Sequence, residues 1–156
     1  MLNNTFIGNI EAKMDDKGRI FVPALYRRIL QEMGSNRIIM RRDTDNECLI
    51  FYPEQVWNKK VNDLREALDD WDAEDQLILM QFMSDAESLE TDGQGRVLLQ
   101  KKNLQFIGAK QDVVFVGMLD RFALWAPEVF AQKRMGQKDL ANRIREKMRK
   151  MKTNEQ

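Results

Sequence analysis

The sequence predicts an α+β fold made of two similar modules of β-strands with helices around them. The pattern Asp-x-x-Gly-Arg, followed by three apolar residues, occurs at 15–22 and again at 92–99. Apolar and polar residues alternate just before the first copy, which is the period of a strand. Between the copies, apolar residues recur at helical spacing. Such a repeat predicts two copies of a small unit that must pack together or on a neighbour to bury a core.

The first module is predicted to span 6–53. Asp15 and Gly18 have turn chemistry, because Asp bonds its own downstream backbone and Gly accepts a positive φ. Pro23 is typical of a helix first turn and Gly34 of a helix end. The predicted elements are a strand to Met14, a turn at 15–18, a strand at 20–22, a helix from Pro23 to Gly34, and strands at 37–42 and 48–52.

The second module is predicted to span 85–130. Its Trp125-Ala126-Pro127-Glu128-Val129 matches Tyr52-Pro53-Glu54-Gln55-Val56 closely enough to extend the repeat downstream. The predicted elements are a strand at 87–91, a turn, a strand at 97–99, a helix at 101–107, strands at 113–116 and 123–125, and a helix from Pro127.

Helices are predicted at 54–84, between the modules. Segment 76–83 is apolar nearly all round, and a helix of that kind is buried in a core or between subunits. Trp57, Trp71 and Trp125 lie in apolar patterns and are expected in the core. The basic segment 131–156 forms either a helix docked on a neighbour or, as we slightly favour, a solvated end.

Composition excludes several classes of protein. The chain has 156 residues, 43% of them hydrophobic and 32% charged, which is ordinary for a globular protein. The absence of histidine excludes Ser–His and Cys–His nucleophile pairs, and no pattern predicts a metal or cofactor site. The lone Cys48 forms no internal disulfide, and no apolar run reaches the roughly 20 residues of a membrane span. We therefore expect a cytoplasmic location.

Charge is distributed unevenly although the net charge is zero. Residues 1–42 contain 8 basic and 4 acidic side chains, residues 43–92 contain 3 and 15, and residues 93–156 contain 14 and 6. Such asymmetry predicts one positive face, unless the charges only solvate helices. Three basic pairs are candidates for that face: Arg27-Arg28, Arg41-Arg42 and Lys101-Lys102.

Arg19 and Arg96 are the strongest candidates for a binding role. Each follows a tight turn, and the planar fork of arginine can bond a phosphate or the O6/N7 edge of guanine. The alternative is structural: Asp15 with Arg19, and Asp92 with Arg96, could form ion pairs that only lock their own turns.

The arrangement resembles the MraZ family of bacterial regulators of the division and cell-wall gene cluster. The likeness covers roughly 5–130, and the doubled Asp-x-x-x-Arg is its most specific part. The residues that carry it are 6–8, 14–23, 49–53, 85–86, 92–96 and 122–125. One departure is visible, since Gln100 stands where Pro23 stands in the first copy. We expect a looser helix start there and, with Lys101-Lys102, an altered share of the second copy in binding, so the resemblance supports a binding role for Arg19 more than for Arg96.

The resemblance implies tandem AbrB-like, swapped-hairpin β-barrel modules and a ring-shaped homo-oligomer. It implies binding to repeated G-rich boxes in double-stranded promoter DNA, usually with repression, and a nucleoid-associated location. No enzymatic activity, cofactor or membrane partner is expected. The predicted DNA-binding residues are Lys17, Arg19, Arg27, Arg28 and Arg96, and the predicted turn-shaping residues are Asp15, Gly18, Asp92 and Gly95.

Two other functions stay open at this point. A structural or protein-interaction ring could use its basic face on acidic proteins rather than on DNA. A metal-dependent enzyme could use Asp15 or Asp92 as a ligand, although the lack of histidine disfavours it.

Overall fold

A computed structural model describes residues 5–35 and 37–154 of the chain, and in them it confirms an α+β fold with two repeats. Most elements begin and end within a few residues of the predicted positions. In chain order they are β1 (Asn9–Lys13), β2 (Arg19–Phe21), α1 (Ala24–Glu32), β3 (Ile38–Arg42), β4 (Leu49–Pro53), α2 (Glu54–Ala67), α3 (Ala73–Ser84), β5 (Ala86–Leu89), β6 (Arg96–Leu98), α4 (Lys101–Ile107), β7 (Asp112–Gly117), β8 (Phe122–Trp125), α5 (Pro127–Lys133) and α6 (Gln137–Asn154).

The two copies exchange strands. The main sheet is antiparallel with the order β1-β7-β8-β4-β3-β5, and β2 pairs with β6 in a separate ribbon. The first strand of each copy therefore pairs with the other copy: Ile10 lies opposite Phe115, and Glu87 lies opposite Met40. If each strand is replaced by its equivalent in the other copy (β1 by β5, β3 by β7, β4 by β8, and the reverse), the same strand order results, read from the other end. The molecule therefore has an internal pseudo-twofold relation that runs between β4 and β8 and between β2 and β6.

The main sheet is open within the part of the chain that the structure describes, with β1 and β5 at its edges. Closed barrels of the kind that the resemblance implies are not seen there. The module limits 6–53 and 85–130 stay predictions, because the strands of both segments form one sheet.

Both faces of this sheet are covered. On one face, aromatic side chains form the centre of the core, where the rings of Phe51 and Phe122 stack with centroids 5.2 Å apart. Tyr26 of α1 packs edge-on against Phe6 and donates a hydrogen bond to the Ile7 carbonyl oxygen. Alternate residues point to the opposite face, as strand geometry requires. There Trp57 and Trp125 are buried, as predicted.

For the linking helices, the core alternative for segment 76–83 and the core position predicted for Trp71 are wrong, and burial of 76–83 between subunits stays a prediction. No residue of α3 is buried, so segment 76–83 is not part of the core. Its Phe82 is half-buried and stacks on Trp57, while most other apolar side chains of α3 face outward. Trp71 is 95% exposed rather than buried. The reason is local: α2 ends at Ala67, so Trp71 lies in the following loop and not on the apolar face of α2.

The helix start at Gln100 has the backbone conformation of its counterpart. Pro23 has φ −51° and ψ 137°, and Gln100 has φ −72° and ψ 148°. Both residues are extended and lead directly into a helix. Gln100 therefore reaches, without the proline ring, the conformation that Pro23 adopts by ring closure.

The predicted basic tail contains a helix, α6, of 18 residues. Residues 155 and 156 of the predicted tail lie outside the described residues. Within the described ranges, none of the helices has the length and apolar character that crossing a membrane requires.

Candidate nucleic-acid interface

The first Asp-x-x-Gly-Arg turn is organised by one carboxylate. Oδ1 of Asp15 accepts the backbone N–H groups of Lys17 and Arg19 at 3.0 and 2.9 Å. Its Oδ2 accepts a hydrogen bond from Nε–H of Arg19 at 2.6 Å. Gly18 has φ +86°, a conformation that L side chains rarely adopt. The motif thus closes the turn and fixes the arginine beside it.

The second turn repeats this arrangement. Oδ1 of Asp92 accepts the backbone N–H groups of Gln94 and Arg96, each at 2.9 Å, and its Oδ2 accepts Nε of Arg96 at 2.9 Å. Gly95 has φ +85°. The sequence repeat is therefore also a repeat of hydrogen bonds.

The charge on each aspartate is stabilised by these bonds. The backbone N–H of Arg19 is the main cause that lowers the pKa of Asp15 below its ordinary value, and the bond from the Arg19 side chain adds to it. The pKa of Asp92 is lowered in the same way, chiefly by the backbone N–H of Arg96. Both carboxylates are ionised at neutral pH and attract the guanidinium groups.

The β2–β6 ribbon brings the two turns together. Arg19 lies opposite Leu98, and Phe21 lies opposite Arg96. The ladder continues into both motifs, because Leu99 N–H donates to the Gly18 carbonyl oxygen at 2.9 Å and Val22 N–H to the Gly95 carbonyl oxygen at 3.1 Å.

One face of the ribbon is exposed and the other is buried. Paired residues and residues two apart share a face. We call the set Arg19, Phe21, Arg96 and Leu98 the outer ribbon face. Phe21 and Leu98 are 53% and 56% exposed, whereas Ile20 and Val97 on the opposite face are buried in the core.

The geometry of the two arginines fits both interpretations of the sequence, an ion pair that locks the turn and a group that binds a ligand. Each is engaged by its own aspartate, but only Nε makes that bond. In the ranges that the structure covers, neither guanidinium donates a hydrogen bond through its two Nη nitrogens. The side chains of Arg19 and Arg96 keep 36% and 20% of their area exposed, and the Arg96 guanidinium carbon lies 5.8 Å from the Phe21 ring centroid. The outer fork of each arginine is thus held in place and available.

The other predicted binding residues lie on the first turn and on α1. Lys17 is exposed at the tip of the first turn, and Arg28 is exposed on α1. Arg27 reaches from α1 to the second turn: its Nε donates to the Val22 carbonyl oxygen at 3.0 Å, and its side chain lies directly against Gly95.

Arg41 and Arg42 do not contribute to an exposed positive face, contrary to expectation. Arg41 is 4% exposed, and its guanidinium carbon lies 4.2 Å from the Phe82 ring centroid. Arg42 donates from Nε to Oδ1 of Asn103 at 3.2 Å and lies over Phe106. The reason is that β3 is an inner strand with helices on both sides.

Of the third basic pair, Lys102 remains exposed, with its Nζ 3.7 Å from Oε1 of Glu87.

Sequence reasoning missed Phe21 and Leu98. Local patterns placed them in strands but did not show that β2 pairs with β6. Their position two residues from each arginine is a signal of a shared face, and it becomes informative only when the pairing is known.

The metal-enzyme alternative gains no support from these carboxylates. Asp15 and Asp92 each accept three N–H donors within their own turns. Over residues 5–35 and 37–154 there is no group of three or more Cys, Asp or Glu residues that could hold a metal ion.

Comparison with known proteins gives a consistent result. The family described as "MraZ protein, putative antitoxin-like" matches residues 5–78 and 82–151, which correspond to the two copies. A protein named transcriptional regulator MraZ from Bacteroides fragilis is 48% identical over 123 residues, 79% of this chain and 78% of the relative. Its namesake from Bacteroides thetaiotaomicron is 41% identical over 92% of each chain. A third, from Shewanella oneidensis, is 32% identical over 81% of this chain and 83% of the relative.

Proposed function

Because this chain belongs to the MraZ family, we propose that it is a non-enzymatic transcriptional regulator that reads double-stranded DNA with the outer ribbon face. The observation that carries the proposal is the matched pair Arg19 and Arg96. Each is oriented by an ionised aspartate and directs an open fork from the same exposed face.

The dimensions and chemistry of the ribbon suit a DNA groove. The major groove of B-DNA is about 12 Å wide and admits a two-stranded β-ribbon. Arginine forks match the O6 and N7 acceptors of guanine, and apolar side chains such as Phe21 and Leu98 suit thymine methyl groups. Lys17 and Arg28 would contact flanking phosphates, which position a protein without specifying sequence. Arg27 would support the second turn.

The biological consequence that we propose is repression of the gene cluster for division and cell-wall synthesis to which its own gene belongs. One ribbon offers few contacts, so useful affinity requires several ribbons on repeated promoter boxes. Assembly as a ring provides this, because tethering raises the effective concentration of each further ribbon. The strand exchange of β1 with β7 and β5 with β3 supports an AbrB-like, swapped-hairpin ancestry for the two modules.

Footprinting on the DNA upstream of the gene tests the DNA contact. Arg19→Ala and Arg96→Ala should each weaken the binding free energy, measured from protection against DNA concentration, by about 1–3 kcal/mol. Each should also relax specificity, as expected for the loss of a bidentate base contact. Arg134→Ala removes an exposed arginine at the end of α5, a helix that covers the opposite face of the sheet, and serves as the matched control.

The outcomes separate the candidate functions. Unchanged protection by both ribbon variants, with circular dichroism showing intact folding, would remove the outer ribbon face as the DNA contact. Equal binding of the upstream DNA and scrambled DNA would favour a protein-interaction ring. That second candidate is supported by the exposed apolar side chains of α3 and α6.

A further inference from the structure

Helix α3 presents an apolar surface that no described residue of its own chain covers. Its exposed apolar side chains and their exposed fractions are Leu77 (64%), Ile78 (45%), Met80 (61%) and Met83 (42%). Scattered exposed apolar residues are normal, but a contiguous group on one helix marks a surface for protein contact.

Helix α6 presents a second surface of this kind. Along its 18 residues no side chain is buried, and its exposed apolar residues recur at intervals of four, four and three. That spacing places them on one face. We call them the α6 stripe: Leu140, Ile144, Met148 and Met151. Most of the stability of helices in proteins comes from packing of an apolar face, so the stripe indicates a packing partner.

The two surfaces match in length and in charge. The α6 stripe extends over about 17 Å, and α3 is about 18 Å long. The C-terminal half of α6 is basic, with Lys147, Arg149, Lys150 and Lys152. The loop before α3 and its first turn are acidic, with Asp69, Asp70, Asp72, Glu74 and Asp75. An antiparallel packing of the two helices therefore joins apolar with apolar residues and basic with acidic residues.

The topology favours a second copy as the source of the partner helix. Within one chain, α5 packs on β7 and α3 on β5, close to opposite ends of the main sheet. These strands are four positions apart, or about 19 Å at ordinary strand spacing. Only residues 134–136 connect α5 to α6, so α6 starts near the end of the strand order that is remote from its own α3.

We propose that the α6 stripe packs antiparallel on α3 of a second copy of this chain. Where the α6 and the α3 of one copy engage two different neighbours, the contact is head-to-tail. Contacts of this type repeat from copy to copy and close into rings when the rotation allows it. The inference rests on the ring in the proposed function, and it names the surfaces that build that ring.

Self-association of full-length variants gives the first test. Ile144→Asp and Met80→Asp each place a carboxylate in the packed surface, and we expect each to raise the dissociation constant of assembly about 100-fold or more. Asn142→Asp introduces the same side chain on the opposite face of α6 and should leave assembly unchanged. Light scattering after size exclusion measures the mass, and circular dichroism checks the helix content.

Cross-linking between two variants tests the pairing itself. A chain with Met80→Cys mixed with a chain with Ile144→Cys should form an intermolecular disulfide. Met80→Cys mixed with Asn142→Cys should not. The native Cys48 gives little background, because it is buried and burial raises its pKa to about 12. Wild-type mass for both Asp variants, or equal cross-linking in the two mixtures, would overturn the proposal.

DNA binding is measured in parallel on a fragment with a single box. If Arg19→Ala loses binding while Ile144→Asp still assembles, the interface is wrong and the DNA contact stands. A wild-type chain that stays monomeric would overturn both the interface and the ring, and would still leave the DNA contact standing. If Ile144→Asp fails to assemble while Arg19→Ala binds as wild type does, the interface stands and the DNA contact fails.

Discussion

A single aspartate in each turn closes the loop and aims an arginine. The motif Asp-x-x-Gly-Arg predicted a turn with an arginine at its exit, because each residue type has a local conformational reason to be there. It did not predict how one carboxylate divides its bonds. Asp15 uses Oδ1 for two backbone N–H groups and Oδ2 for Nε of Arg19, which leaves the outer fork open.

The turns should resist mild acid. Because the pKa values of Asp15 and Asp92 are lowered in the folded state, their stabilisation is complete above the ordinary aspartate pKa of about 3.9. It is lost as the pH falls through the lowered folded values. We expect the Asp15→Asn, Asp92→Asn double variant to have a flatter dependence of unfolding free energy on pH in that acid range. Urea unfolding at a series of pH values measures this, and identical profiles for the variant and wild type would contradict it.

The two motif glycines should differ in their tolerance of alanine. Both have a positive φ, which costs a non-glycine residue about 1–3 kcal/mol. A Cβ at Gly18 would also lie 2.6 Å from the Leu99 carbonyl oxygen in the ribbon ladder, whereas one at Gly95 meets the side chain of Arg27. Gly18→Ala should therefore lower the free energy of unfolding more than Gly95→Ala.

Urea unfolding ranks these glycine variants, and Gly93→Ala is the control because its Cβ meets open space. A larger loss for Gly95→Ala than for Gly18→Ala would show that the ribbon backbone yields more easily than the Arg27 side chain.

Elements were predictable where their signals were local. Helix α4 has the bounds that the pattern predicts, and its end at Gly108 uses the left-handed φ of +71°. Strand pairing was not predictable, because alternation shows that a segment is a strand and not which strand lies beside it. The outer ribbon face was therefore only half predicted: the arginines were found and Phe21 and Leu98 were not.

Alanine variants of Phe21 and Leu98 should weaken DNA binding with little effect on the stability of the fold. Because both side chains are more than half exposed, Phe21→Ala and Leu98→Ala should change the free energy of unfolding by less than about 1 kcal/mol. On the proposed function both should weaken binding to the upstream DNA. Gel shifts and urea unfolding measure the two effects, and a large stability loss with unchanged DNA binding would assign these residues to the core.

Phe82 packs over the buried guanidinium group of Arg41. Its ring lies over the guanidinium of Arg41, whose buried Nε has no hydrogen-bond partner in the described chain. Phe82→Ala removes this contact and the stack on Trp57, and should cost about 3 kcal/mol. Phe82→Leu keeps apolar cover and should cost less. Thermal and urea unfolding measure both, and equal losses would show that the aromatic ring has no special role over Arg41.

Because the two halves of the molecule form one sheet, we expect the whole chain to unfold as one cooperative unit. The repeat at 15–22 and 92–99 predicted two modules, and the structure joins both in one sheet. This could not be deduced from composition, since strand exchange preserves every local pattern. Trp71 and α3 illustrate the same limit: apolar character does not say what covers a surface.

Neither half should fold alone. A fragment of residues 1–84 lacks β7, the partner of β1, and a fragment of 85–156 lacks β3, the partner of β5. We expect each fragment to show little ordered structure by circular dichroism and the equimolar mixture to recover the spectrum of the whole chain. Cooperative unfolding of either fragment alone would contradict this interdependence.

Because both halves belong to one chain, their sequences need not be identical. A dimer of two identical short chains must present the same side chain twice, so it is suited to palindromic targets. Here Gln100 is the counterpart of Pro23, and Val116 occupies in β7 the position that Arg41 occupies in β3. The joined chain can therefore accumulate differences on either side of its internal axis, and its two turns can come to favour different bases in an asymmetric site.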